Sequence, residues 1–363
     1  MKKLIKVHVI GGARPNFVKI APLLKLLDSS KFFKVIFINT GQHYDKNLSD
    51  NIMRDLSLRK PDLNIGVGSG SHIYQISTIM KKYEKIILTT KPNLVIVFGD
   101  VNSTVAAALT AKKMGIKVAH IEAGLRCYDD DLTEEINRRI TDSLSDYLFT
   151  PSKKESGNLK KENIQGKIYL VGNIMIDSLE FFFKKKRSSK ALINHFDGLM
   201  TFHRPENVDN KIKLGKLIKE IKKWTKKYKI IFPVHPRTLS SLKKFKFDKD
   251  ILNNTNLIQT SPLSYNDFLI HMKNSKFIVT DSGGIQEEST YLGVPCFTVR
   301  KNTERPITIS KGTNKLVKLE EVNSLLKKVK KKKIKIPMWD GRTSLRILKF
   351  LEKIYCKDFT FEK

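Results

Sequence analysis

The sequence predicts an α/β chain of two domains, each a parallel sheet covered on both faces by helices. Three observations carry this expectation. Short β-branched apolar runs alternate with amphipathic helical patterns along most of the chain, the order that builds parallel sheets between helical layers. Eleven such runs exceed what one sheet of ordinary size holds. The length, 363 residues, suits two domains of roughly 150–200 residues each.

The first series of strands is expected at residues 5–10, 35–39, 94–98, 118–121 and 147–149. A second series follows at 168–171, 199–202, 230–234, 257–259, 277–279 and 295–299. Between them, 16–27, 103–114 and 211–228 carry apolar residues at helical spacing. The change of series puts one domain at 1–171 and a second at 172–340. Residues 341–363 form a closing helix and tail, expected to pack back on the first domain.

Composition narrows the classes of function. The net charge of +32 invites a nucleic-acid reading. However, only 13 of the 68 basic residues are Arg, and the Lys runs at 184–186 and 330–333 carry no interleaved aromatics. With no nucleic-acid-binding motif present, these runs are read as solvated faces, and no nucleic-acid partner is expected. Attraction for anionic substrates follows as a by-product. No stretch approaches the ~20 apolar residues of a membrane span, so no membrane insertion is expected. The short apolar run behind Lys2 and Lys3 is broken by Gly11 and Gly12, which argues against a signal peptide. Cys127, Cys296 and Cys356 are few, distant and odd in number, which fits a reducing cytoplasm rather than a disulfide framework. No metal is expected, since HExxH, CxxC and close His/Asp clusters are missing from the sequence.

The polar residues gather just after the strands. Gly11-Gly12-Ala13-Arg14-Pro15-Asn16, Gly99-Asp100 and His120-Ile121-Glu122 do so in the first half. His203-Arg204-Pro205-Glu206, His235-Pro236-Arg237 and Asp281-Ser282-Gly283-Gly284 do so in the second. Open α/β sheets bind ligands beyond the carboxyl ends of their strands, so both halves are expected to present reactive groups there, around a cleft. Arg14 and Lys19 sit at a Gly-rich strand-to-helix turn, and Ser282-Gly283-Gly284 at another; helix starts with free N–H groups favour phosphate. Asp100, Glu122 and Glu134 are candidate general acids and bases. The competing structural readings are a helix N-cap for Asp100 and an i,i+4 ion pair with Arg138 for Glu134. Glu288, on the helix after the glycines, is a candidate acceptor for sugar hydroxyls, and its competing structural reading is interaction with the helix dipole. His203 and His235 are candidate phosphate or acid–base groups.

With these motifs in place, the chain resembles the non-hydrolysing UDP-N-acetylglucosamine 2-epimerases over nearly its whole length. The matching stretches are GGARPNFVKIAPLL (11–24), TGQHYDKNLSD (40–50), FGDVNSTVAAAL (98–109), AHIEAGLRCYDDDLTEEINRRITD (119–142), VGNIMID (171–177), FHRPENVD (202–209), PVHP (233–236), TDSGGIQEES (280–289) and TERP (303–306). The resemblance implies two Rossmann-like domains of the GT-B type, UDP held mainly by the C-terminal one, and a homodimer. It implies catalytic carboxylates at Asp100, Glu122 and Glu134, with Lys19, Arg138 and His203 around the diphosphate and leaving group. Arg14, Phe268, Ser282, Gly283, Gly284, Glu288 and His235 fall among the UDP-sugar contacts, and Gln42 and His43 where some members bind an activating second nucleotide sugar. The implied chemistry eliminates UDP to a 2-acetamidoglucal and adds it back, with no cofactor. Ala13 and Asn16 depart from the commonest GTRPE pattern, and Pro205 replaces a second Arg of HRREN. The first change also occurs in relatives acting on UDP-2,3-diacetamido-2,3-dideoxy-glucuronate, so that sugar is one alternative and a GT-B glycosyltransferase another.

Overall fold

A computed structural model describes residues 4–42, 52–184, 195–252 and 254–355. The chain divides into two compact units, Met1–Lys185 with Pro337–Lys363, and Lys186–Ile336.

The first unit is built on a seven-stranded sheet in the order β3-β2-β1-β4-β5-β6-β7, with every pairing parallel. Its strands are β1 (Ile5–Gly11), β2 (Phe33–Asn39), β3 (Leu63–Asn64), β4 (Leu94–Phe98), β5 (Lys117–Ile121), β6 (Tyr147–Thr150) and β7 (Lys167–Leu170). All five residues of β4 are buried, as a central strand covered on both faces requires. Helices α1 (Arg14–Asp28), α2 (His72–Thr90), α3 (Asn102–Lys113), α4 (Thr133–Leu144), α5 (Lys153–Lys161) and α6 (Ile174–Lys184) supply the layers. In α1, Phe17, Ile20, Leu24 and Leu27 recur at helical spacing on the buried side. Ala106, Ala107, Ala108 and Ala111 are buried in α3, their small side chains letting α2 and α4 pack closely against it, while Lys112 and Lys113 at its end are exposed.

Two features differ from the sequence expectation. The strand at 168–171 opens no second series: β7 pairs with β6, Tyr147 opposite Lys167, and closes the first sheet. The nine-residue α5 is a short crossover that returns the chain beside the strand it left. The change of unit consequently falls after α6 rather than at 171. The closing helix, Thr343–Tyr355, belongs to the first unit, where Asp177 of α6 accepts hydrogen bonds from Thr343 N at 3.0 Å and Ser344 N at 2.7 Å.

The second unit repeats the plan with six parallel strands in the order β10-β9-β8-β11-β12-β13. These are β8 (Gly198–Thr201), β9 (Ile230–Pro233), β10 (Leu257–Thr260), β11 (Phe277–Thr280), β12 (Cys296–Thr298) and β13 (Asn314–Leu316). The helices are α7 (Pro205–Val208), α8 (Lys211–Trp224), α9 (Pro236–Lys244), α10 (Asp248–Leu252), α11 (Tyr265–Asn274), α12 (Gly283–Tyr291), α13 (Pro306–Ser310) and α14 (Val322–Leu326). Leu214, Leu217, Ile221 and Trp224 of α8 meet Phe232, Phe277 and Val322 in one core, and Leu199, Met272, Ile278 and Ile285 form the core on the sheet's other face. The two-residue β3 and three-residue β13 are too short to leave a sequence pattern. Among the described residues, no helix is long and apolar enough to cross a membrane.

Candidate active site

In the first sheet the strand order reverses between β1 and β4. The connections from these neighbours run to opposite faces, so their loops part and leave a crevice at the carboxyl ends. Asn16 and Lys19 follow β1, Gly99 and Asp100 follow β4, and Glu122 follows β5. Lys19 and Glu122, both buried, form an ion pair. Gly99 makes room for it: its φ is 64°, and a Cβ there would lie 3.0 Å from Lys19 Nζ and 3.4 Å from Glu122 Oε2. Glu122 itself is left-handed, at φ 72°, a conformation costing a side-chain-bearing residue about 1 kcal/mol or more. Its N–H bonded to Phe149 O at 3.1 Å helps hold it there.

Asp100 is next in line, its carboxylate Oδ2 2.7 Å from Arg138 Nη1 of α4. The N-cap of α3 is Val101, without a side-chain cap. Gln42 occupies the capping role instead, its Oε1 accepting from Ser103 N at 3.0 Å and Ser103 Oγ at 2.7 Å. Asp100 is therefore not a helix cap. Gln42 is buried in that helix start, and His43 lies outside the described residues. Glu134 stands half-buried on the first turn of α4, where Thr133 Oγ1 donates to it at 3.2 Å. The ion pair of Arg138 within α4 is with Glu135, three residues back, at 3.0 Å, rather than the expected i,i+4 pair with Glu134. Arg14 is exposed at the first position of α1. Asn16 accepts from Ala13 N at 3.2 Å and donates to Phe98 O at 2.9 Å, tying the Gly-rich turn to β4.

Beneath these groups, His120 of β5 is fully buried, one ring nitrogen 2.8 Å from the Gly99 carbonyl and the other 2.8 Å from Asp142 Oδ1. Asp142 also accepts from Arg126 Nη1 at 2.7 Å and Gly124 N at 3.1 Å. The Gly99–Asp100 turn is thus fixed from below. Sequence reasoning assigned no role to His120, Asp142 or Glu135; an i,i+3 spacing to Arg138 was the one available sign of the last.

In the second sheet the order reverses between β8 and β11, and β9 lies on the other side of β8. His203, His235 and Asp281 leave the ends of these three adjacent strands. The His203 and His235 rings are 5.3 Å apart, and His235 caps α9 by accepting from Arg237 N at 3.2 Å. Asp281, fully buried, gathers the neighbouring loop: it accepts from His203 N and Arg204 N, and from Asn207 Nδ2 at 3.0 Å, while His203 Nδ1 lies 3.1 Å away. Burial alone would raise its pKa. The hydrogen bonds and the charge of His203 outweigh that and hold it below the ordinary carboxylate value.

Ser282 is the N-cap residue of α12, and Gly283 and Gly284 form its first turn. A Cβ on Gly283 would run into Glu304 Oε1, whereas one on Gly284 would meet nothing within 4 Å, so open space lies over that helix start. Glu288, on the second turn of α12, accepts from Tyr265 OH at 2.9 Å, which links it to α11, the helix that carries Phe268. Its neighbour Glu287 pairs with Arg305 at 3.3 Å. Within the second unit, Asp281 ties His203 to the start of α12, which carries Ser282, the two glycines and Glu288, while Phe268 of α11 packs against the core of Leu199, Met272 and Ile278. Chemically, the first unit offers carboxylates that can take up and return a proton beside fixed cations. The second offers an anion-accepting helix start with a carboxylate acceptor nearby. Among the described residues, no group of three or more His, Cys, Asp and Glu could hold a metal ion.

The family model for UDP-N-acetylglucosamine 2-epimerase matches residues 25–352. A UDP-N-acetylglucosamine 2-epimerase of Methanococcus maripaludis is 42% identical over 333 residues, 89% of this chain and 90% of that protein. A UDP-2,3-diacetamido-2,3-dideoxy-D-glucuronate 2-epimerase of Pseudomonas aeruginosa is 35% identical, over 86% of this chain and 88% of its own. The crystal structure of the Methanocaldococcus jannaschii UDP-GlcNAc 2-epimerase in complex with UDP-GlcNAc and UDP superimposes with a TM-score of 0.90 at 37% identity, covering 96% of this chain and 100% of that one. The two parallel sheets, the matched length and this level of identity place the chain in the UDP-N-acetylglucosamine 2-epimerase family.

Proposed function

We propose that this protein interconverts UDP-GlcNAc and UDP-ManNAc, inverting C2 of the sugar by elimination and re-addition of UDP. The observation that carries the reading is the pairing, at the switch point of the first sheet, of Glu122 with Lys19 and of Asp100 with Arg138. Acid–base groups and compensating cations stand side by side there, as an elimination that releases an anion needs. A carboxylate takes the C2 proton, and the C2–H electron pair becomes the C1=C2 double bond of a 2-acetamidoglucal. The C1–O bond breaks with its electrons on the departing UDP. The proton is then returned to the other face of C2, and UDP adds back to C1. No net oxidation occurs, so the reaction calls for no hydride acceptor. Asp100, Glu122 and Glu134 share the proton transfers, while Lys19, Arg138 and His203 offset the charge on the leaving diphosphate. Ser282, Gly283 and Gly284 hold the phosphates, Phe268 the uracil and Glu288 the ribose, with Arg14 and His235 as further contacts. The M. maripaludis relative, named for this activity, supports the substrate, as does the M. jannaschii enzyme with UDP-GlcNAc and UDP bound. We also propose a cytoplasmic homodimer; light scattering at the monomer mass of 41.7 kDa would remove the dimer from the proposal.

The test is epimerisation in D2O. Product carrying deuterium at C2, with slow release of UDP and glycal, is expected; unlabelled product excludes proton exchange. A second reading, 2-epimerisation of UDP-2,3-diacetamido-2,3-dideoxy-glucuronate, is favoured by the P. aeruginosa relative of that name. A panel of UDP-sugars followed by NMR for the C2 epimer separates the two.

A further inference from the structure

We infer that Glu135 is a positioning residue, which aims the Arg138 guanidinium at Asp100 and sets how much of its charge Asp100 experiences. The inference rests on the reading of Asp100 as a proton-transfer group. Glu135 is fully buried on α4, one position beyond the half-exposed Glu134. Its two oxygens accept from Cys127 N, each at 3.2 Å, from Tyr128 N at 3.2 Å, from Cys127 Sγ at 3.4 Å and from Arg138 Nε at 3.0 Å. Tyr128 sits at φ 57°, so these bonds also hold a left-handed turn of the 122–132 loop against the helix. Arg138 in turn spreads its three nitrogens over three partners: Nε on Glu135, Nη2 on the Cys127 sulfur at 3.7 Å, and Nη1 on Asp100 at 2.7 Å. A planar guanidinium held at all three nitrogens has no freedom to rotate, so its direction toward Asp100 is decided by Glu135 and the loop.

Among the described residues, the charged and titratable groups that face this carboxylate are Arg138 and, at 4.0 Å, Arg139 from its own helix, and Cys127 from the loop. Asp100 faces Arg138 from the end of β4, where Asn137 Nδ2 holds its backbone carbonyl at 2.9 Å. Glu135 thus acts on Asp100 in two ways that can be separated. Its negative charge dilutes the pull of Arg138, and its length fixes where Arg138 points.

Two substitutions test this through the pH profile of kcat/KM, a readout that loss of packing alone does not move in opposite directions. Glu135→Gln keeps the shape and removes the charge, so Arg138 acts on Asp100 undiluted and the acid limb moves to lower pH. Glu135→Asp keeps the charge but draws the guanidinium back, so the acid limb moves to higher pH and kcat falls by about 10- to 100-fold. UDP affinity, set mainly by the other unit in the proposed function, should change far less than kcat in both. Limbs that stay in place, or that shift in the same direction in both variants, overturn the inference. If neither variant folds, the wild-type Arg138 Nε–H proton decides, its NMR signal identified by its absence in Arg138→Lys. Slow solvent exchange supports the clamp and exchange at the rate of an exposed arginine overturns it. Wild-type protein that incorporates no C2 deuterium defeats the proposed function itself; wild-type protein that does, with unmoved variants, defeats only the role of Glu135.

Discussion

Asp100 keeps a quarter of its side chain open while that of Glu122 is almost enclosed, and this difference sets what substitution of each will cost. Removing one member of a buried ion pair strands the other, at about 3–5 kcal/mol, so Glu122→Gln mixes lost chemistry with lost stability. Asp100→Asn is the cleaner probe. We expect turnover to fall by about 10²–10⁴-fold with UDP affinity unchanged, measured by coupled assay and calorimetry. Asp281 supplies a prediction about pH. Its folded-state pKa lies below the unfolded value, so its contribution to stability is complete above the ordinary carboxylate range and is lost as pH falls through the folded value. Denaturant midpoints measured from about pH 5 to pH 3 should fall less steeply in Asp281→Asn than in wild type. Lys19, Asp100, Glu122 and Arg138 were legible in the sequence because each sits in a dense motif. Glu135, Asp142 and His120 were not, because their importance lies in partners 3 to 22 residues away in networks that only folding assembles.

The elements show the same division. Strands 94–98 and 277–279 were legible because central parallel strands are apolar throughout. The strand at 168–171 was legible as a strand yet grouped with the later series, although the bound at 171 kept it in the first domain, because an apolar run does not state its neighbour. Membership is decided by the α5 crossover and by pairing with β6. The closing helix depends on such a partner too. Asp177, on α6, satisfies two of its first N–H groups across 166 and 167 positions of sequence. Asp177→Ala should cost about 1–3 kcal/mol by leaving them buried without an acceptor. The thermal midpoint should drop by about 2–4 °C per kcal/mol, while the folded fraction keeps its activity at room temperature.

At the scale of the whole molecule, the proposed function gives the two units different chemistries, and ligand linkage can separate them. UDP at 100 times its Kd should stabilise the protein by about 2.7 kcal/mol, read as a rise in unfolding midpoint. Gly284 offers a test of where that energy enters. A Cβ there meets no protein atom within 4 Å, so Gly284→Ala should leave the ligand-free midpoint equal or slightly higher, alanine being the better helix former. In the proposed phosphate site the same methyl group would stand in the way, and the rise with UDP should shrink. An unchanged rise would remove Gly284 from the nucleotide site.

By itself, the sequence determined that this is an α/β chain with two parallel sheets, and that its polar motifs fall at strand ends, since periodicity and turn chemistry are written locally. Tertiary structure alone decided which sheet takes the strand at 168–171, which carboxylate partners Arg138, and that Gln42 rather than Asp100 serves the start of α3. The physical reason is that hydrogen bonds and ion pairs of buried groups are satisfied by whatever the packed sheet brings within about 3 Å, and the order of residues along a chain does not specify that distance.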